Sequence, residues 1–134
     1  MSCTYRKYEL PIDLYRYYIY IVVTSSVANF LPVLKRHKEI HHEFTDAELA
    51  ELVDSEAFFI APNNDTCYLF LCGQAGLGDI AHEATHAACH ILHSRGVEES
   101  YANDEALAYL IGHIADVCGV CIKKFNKQKR ISEQ

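Results

Sequence analysis

The stretch Asp79-Ile80-Ala81-His82-Glu83-Ala84-Thr85-His86-Ala87-Ala88-Cys89-His90-Ile91-Leu92-His93-Ser94 decides how this chain is read. It opens on an aspartate able to cap a helix, contains no glycine or proline, and is followed by Gly96, where a helix can stop. On a wheel at about 100° per residue, His82, His86, His90 and His93 share an arc of about 80°. Ile80, Ala84, Ala87, Ala88 and Ile91 gather opposite. The apolar side is therefore expected to face a core, and the histidine side a cleft or a neighbouring helix. Within the stretch, His82-Glu83-Ala84-Thr85-His86 is an HExxH motif. Histidines four apart lie one above the other on a helix, so both imidazoles can reach one metal ion. Glu83, at the edge of the histidine arc, is placed to lean over that ion and deprotonate its water.

Reach limits the ligand set. His82 and His90 are two turns apart, about 12 Å along the axis, whereas a zinc–nitrogen bond is only ~2 Å. One ion takes two of these histidines, and the pair flanking Glu83 is the choice. His90 and His93 are left as groups behind the ligands, substrate contacts or surface residues. A catalytic zinc keeps three protein ligands and one open position, so a third ligand must come from elsewhere. A last long helix is read from near Asn103 or Asp104 to about Phe125. Leu107, Leu110, Ile114, Val117 and Cys121 form its apolar stripe, with Glu105, Tyr109, Gly112 and Asp116 on the other side. Glu105 is the expected third ligand and Asp104 the fallback. The plainer role for Glu105 is a carboxylate complementing the helix dipole.

Composition narrows the class. The 134 residues suit one domain, half of them are apolar, and the formal net charge is −6. That charge argues against coating nucleic acid, which needs a basic field. Lys123, Lys124, Lys127, Lys129 and Arg130 read as a solvated helix end and tail. The apolar run Tyr17 to Val23 falls short of the ~20 residues that span a bilayer and reads as a buried strand. Arg6, Lys7 and Glu9 interrupt the N-terminus before any apolar run, so no secretory leader is read and a cytoplasmic setting is expected. Disulfides are then not expected among the six cysteines. Cys118 and Cys121 make a CxxC inside a helical pattern, while Cys67 and Cys72 are spaced to point to opposite faces of a strand. Buried free thiols are favoured over a second metal or redox site.

The rest reads as strands first, then two strongly patterned helices, which argues for an α+β domain. Residues 1–73 are expected to be mostly sheet with short helices. Tyr15 to Ser25 is a strand and Ser26 to His37 a short helix marked by Pro32. His37 to Glu43 is polar, and Thr45 to Leu52 is a helix opened by Thr45 or Asp46 with Glu48 close behind. Ala57 to Ala61 and Thr66 to Cys72 are strands joined through Pro62-Asn63-Asn64-Asp65 as a hairpin. The motif helix covers 79–95, the third-ligand helix 103–125, and a basic tail 126–134. The tyrosines of the first twenty residues are assigned to core and sheet face.

With His82-Glu83-xx-His86 followed nineteen residues on by Glu105, within Asn103-Asp104-Glu105-Ala106-Leu107-Ala108-Tyr109, the chain resembles the gluzincin group of zincin metallopeptidases. Small phage and prophage proteins carry a similar pattern. The resemblance covers residues 65 to about 117. It implies a minimal zincin-like fold: a small antiparallel or mixed sheet, with the motif helix packed against the long C-terminal helix. It also implies one Zn2+ on His82, His86 and Glu105, with Glu83 as the base. Thr66 to Cys72 would be the edge strand on which an extended peptide aligns. Many gluzincins have an aspartate four residues after the ligand glutamate. Here that position is Tyr109, which either donates to a tetrahedral intermediate or merely packs. Cys89 and Leu92 stand where the metzincin extension would need other residues.

The expected function is a zinc-dependent hydrolase, most concretely a peptidase, acting on a peptide or protein substrate. The alternative is a catalytically silent, zincin-like accessory protein that binds and inhibits a host protein, in the host cytoplasm if of phage origin. A third reading is an α+β protein with a chance HExxH. Substrate identity and oligomeric state are open at this level, and neither nucleic acid nor membrane is expected as a partner.

Overall fold

The computed structural model describes residues 5–26, 30–36, 45–98 and 100–132. Cys3 and the polar stretch His37 to Glu43 lie outside the described residues. The elements are β1 (Tyr5–Ile12), a 3-10 turn (Asp13–Tyr15), β2 (Tyr17–Thr24), α1 (Phe30–Arg36), α2 (Asp46–Asp54), β3 (Ala57–Ile60), β4 (Thr66–Cys72), α3 (Leu77–Ser94), a second 3-10 turn (Tyr101–Asn103) and α4 (Asp104–Ser132). They form an α+β fold with one mixed four-stranded sheet, ordered β1-β2-β4-β3.

β2 and β4 are apolar at almost every position because both of their faces are covered. They pair in parallel, from Tyr18 opposite Thr66 to Thr24 opposite Cys72, which suits strands buried on two sides. Ile19, Ile21, Val23, Cys67, Leu69 and Leu71 enter the core under α3 and α4. Val22, Tyr68, Phe70 and Cys72 enter a second core with Phe30, Val33 and Leu34 of α1. Cys67 and Cys72 thus lie on opposite faces, as their spacing required. β1 and β3 flank the pair, each antiparallel to its neighbour. The hairpin of β3 and β4 is as the sequence suggested. The edge is not: β4 is internal and β3 is the edge strand beside α3.

Two helix starts follow local chemistry. Thr45 caps α2: its Oγ accepts from the Glu48 N–H at 3.2 Å, and Glu48 Oε1 accepts from the Thr45 N–H at 3.1 Å. α3 starts two residues earlier than its sequence suggested, and Asp79, instead of being the cap, sits in the first turn and accepts from the Gly76 N–H at 3.1 Å. α4 runs on to Ser132, so most of the expected tail is helical. Over Asp104–Gln128 it is long and apolar enough to cross a membrane by length and composition. Here Leu110, Ile114, Cys118, Ile122 and Phe125 are buried in the core that α4 shares with α3 and the sheet.

Arg95, just after α3, ties the helix to both nearby turns. Its Nε donates to the Tyr15 carbonyl at 2.6 Å, Nη1 to the Asn64 carbonyl at 3.2 Å, and Nη2 to the Arg16 carbonyl at 2.8 Å and Asp65 Oδ1 at 3.0 Å. Arg16 has φ of 50°, a left-handed conformation uncommon outside glycine, and Arg95 holds it there. Gly96 (φ 72°) lets the chain leave α3, with its N–H on the His93 carbonyl at 3.1 Å. Replacing Arg95 by Ala strands three carbonyls and a carboxylate. Thermal unfolding should show a loss of about 2 kcal/mol, or a Tm lower by about 6–8 °C. Arg95→Lys should recover little, because an ammonium cannot span a planar fork.

Candidate functional site

α3 leaves β4 through Gly73 to Gly76 and runs back across the sheet towards Arg95. Its Ile80, Glu83, Ala84, Ala87, Ala88, Ile91 and Leu92 are buried. His82 and His86 are exposed on the outward side, His93 is exposed, and His90 is half-buried. The histidine side therefore faces solvent and the edge strand, not a cleft between helices. Glu83, only 9 % exposed, lies on the buried side of the helix.

The two motif histidines converge. His82 Nε2 and His86 Nε2 are 3.2 Å apart, and their rings meet edge to face with centroids 4.8 Å apart. Two nitrogens bound to one tetrahedral zinc at ~2.0–2.1 Å would be about 3.3 Å apart. The pair fits two corners of a zinc site, and imidazole is an appropriate ligand for that ion. Among the described residues, no group of three His, Cys, Asp or Glu side chains gathers to hold a metal.

Glu105 is brought elsewhere. It lines a hollow of about 490 Å³ with Asp13, Leu14, Tyr109 and His113. Tyr109 is 73 % exposed and stacks on His113, with centroids 6.2 Å apart, so it is not beside the motif histidines. Asp104 is exposed in the same first turn. The cause is the course of the helices. The start of α4 lies by the Asp13–Tyr15 turn, whereas its Asn126 Nδ2 donates to the Gly73 carbonyl at 3.0 Å, next to the start of α3. The two helices thus run antiparallel, and the first turn of α4 meets the last turn of α3. His86 is eight residues upstream of Ser94, about 12 Å along the axis. The flanks differ too: the hollow abuts the end of β1, whereas His86 lies against β3, three strand spacings or about 14 Å across the sheet.

Two residues missed in the sequence do touch the histidines. Phe59 of β3 stacks on His86 with centroids 5.7 Å apart and planes at 25°. It also meets His90 edge to face at 6.0 Å and 60°. Tyr17 of β2 bonds His90, Oη to Nδ1, at 2.5 Å. Burial, then His93 and Arg95, push the His90 imidazole below its usual range. Burial also raises the Tyr17 phenol. The alternation within Ala57 to Ile60 was the available signal, since Ala57 and Phe59 share the face turned to α3.

The buried thiols among the described residues are held away from the thiolate form. Cys67, Cys72, Cys118 and Cys121 are free and buried, and Cys89 is partly so. Burial pushes Cys67 and Cys118 up to about 12, far from the thiolate character that reactivity needs. No family model matches this chain, and no curated protein and no solved structure matches it either.

Proposed function

We propose that the protein is a zinc-dependent hydrolase of peptide bonds, with Zn2+ held by His82 and His86 and Glu83 as the proton-transfer residue. The observation that carries this reading is the 3.2 Å convergence of the two Nε2 atoms on successive turns of one helix. Bound Zn2+ would supply Lewis acidity and acidify a water towards pH ~7. Glu83, between the two ligands in sequence, would accept the proton of the attacking water and return it to the leaving amine. Its side chain must then turn from the buried flank towards the ion.

The choice of a peptide rests on β3. It is the edge strand of the described sheet, and its Phe59 lies against His86. An extended chain laid along such an edge gains backbone hydrogen bonds while passing the histidine pair. The finer class, a minimal zincin of the gluzincin type, is supported by the HExxH helix packed against a second long helix. Its third ligand would be Glu105, with Asp104 as fallback and Tyr109 as a donor to the developing oxyanion. The observed positions of all three speak against these roles in this conformation.

A second reading is favoured by the exposure of His82 and His86. The domain would then carry zinc without turnover and dock on a partner protein, as the accessory-protein resemblance suggests. Zinc-loaded protein that cleaves no member of a diverse peptide library would select this reading.

Three variants test the site. His86→Ala should weaken zinc binding by at least about 100-fold, beyond the range seen for losing a group that merely supports a ligand; an undiminished zinc content by elemental analysis would refute the ligand assignment. Glu83→Gln should retain zinc and lower turnover by about 10²–10⁴, and full activity would remove Glu83 from the mechanism. Glu105→Ala should leave zinc affinity within about twofold, because Glu105 lies apart from the pair. A loss of tenfold or more, the scale of disturbing a metal's surroundings, would show that the first turn of α4 reaches the ion.

A further inference from the structure

A metal-binding imidazole needs more than reach: its ring plane must be held, commonly by a hydrogen bond from its other nitrogen to a carboxylate or carbonyl. For His86 the structure shows a different neighbour, the face of Phe59. Phe59 does not stand alone. The edge of His90 meets it at 60°, and His90 is fixed in turn through Nδ1 by the Tyr17 hydroxyl. Tyr17 is itself only 1 % exposed, anchored between the sheet and α3. A chain of contacts thus runs from the middle of the sheet to the exposed histidine pair: Tyr17 to His90, His90 to Phe59, Phe59 to His86, and His86 to His82 at 3.2 Å.

We propose that Phe59 is the positioning residue of the metal pair: its ring face, steadied by His90 and Tyr17, sets the plane of the His86 imidazole so that Nε2 meets His82 Nε2 at ligand spacing. A β-strand side chain on the sheet is a stiffer reference than a rotamer on the outer face of a helix. His86, left to itself, would sample the several rotamers open to an exposed histidine. Stacking removes that freedom before an ion arrives, so less ordering remains to oppose binding. Phe59 contributes no donor atom, so its effect is on orientation alone. Its ring can be replaced by another planar ring but not by an aliphatic side chain of similar volume. The consequence for metal affinity rests on the zinc reading above, whereas the fixed ring plane does not.

The experiment has a metal-free arm and a metal arm, both on the full chain. In metal-free protein, the His86 ring protons should be shifted upfield in the NMR spectrum by the Phe59 ring. Phe59→Leu should return them to ordinary values, while Phe59→Tyr should keep them shifted. Unchanged His86 resonances in folded Phe59→Leu would overturn the proposal whatever the metal does. In the metal arm, Phe59→Leu should weaken zinc by about tenfold in chelator competition and alter the visible spectrum of the Co2+ form, and Phe59→Tyr should stay within about twofold of the parent. Tyr17→Phe, which keeps the buried ring and removes only the hydroxyl, covers the case in which Phe59→Leu does not fold. It should loosen His90 and produce a smaller change in the same direction at His86; no change at His86 would overturn the chain of contacts. Parent protein that binds no zinc but shows the shifted His86 protons would sink the zinc reading and leave the ring clamp standing. Equal zinc affinity in parent and Phe59→Leu, with zinc bound by both, would overturn the role of Phe59 in positioning the pair for metal and leave the zinc reading standing.

Discussion

The parallel pairing of β2 with β4 is the constraint on which the rest depends. Two central strands that are apolar on both faces cannot face water on either side. They need a helical layer on each, and the chain supplies α1 on one side and α3 with α4 on the other. Because α3 follows β4 through a short connection, it must run back antiparallel to that strand, over β4 and β3. Its direction and lateral position are therefore fixed before any functional residue is considered. The histidine side of α3 is simply what remains once Ile80, Ala84, Ala87 and Ile91 are turned to the sheet.

Arg95 turns this arrangement into a closed end. Hydrogen bonds to the carbonyls of Tyr15, Arg16 and Asn64 join the turn after β1 to the turn before β4, with the C-terminal end of α3 between them. The same end holds Tyr17 and His90. One rigid anchor thus serves both the packing of α3 and the row of rings that leads to His86. The histidine pair itself is exposed, yet it stands one contact from Phe59, which packs against the core.

What could be read from the sequence was mostly what a single element encodes. The HExxH helix, the capping box at Thr45 and Glu48, the β3–β4 hairpin and the two-faced placement of Cys67 and Cys72 all depend on local period or local hydrogen bonding. β1 carries a weaker local signal, because Arg6, Lys7 and Glu9 leave its first half without an apolar run. Lys7 and Glu9 lie on its other face, whereas Tyr8, Leu10 and Ile12 face the α3 core. The edge was misassigned because strand order is set by which strands pair, and Thr66 to Cys72 carries no mark that β2 takes its other side. Its unbroken apolarity was the hint, since an edge strand seldom needs both faces buried.

Glu105 shows the same boundary more sharply. Spacing along the chain counts residues, whereas a ligand set requires side chains at one height and on one flank. A nineteen-residue interval between His86 and Glu105 is compatible with a shared ion only if the second helix crosses the first near the motif. When the two helices run antiparallel, side chains level with His86 come from the second or third turn of α4, not its first. The crossing is decided by the core that Leu110, Ile114, Cys118 and Phe125 make with α3 and the sheet, and no pattern confined to the HExxH segment can report it. The two-histidine half of the site needs only a helix, so it survives any crossing. The third position is a tertiary property, set by how α4 crosses α3 and by nothing within the motif.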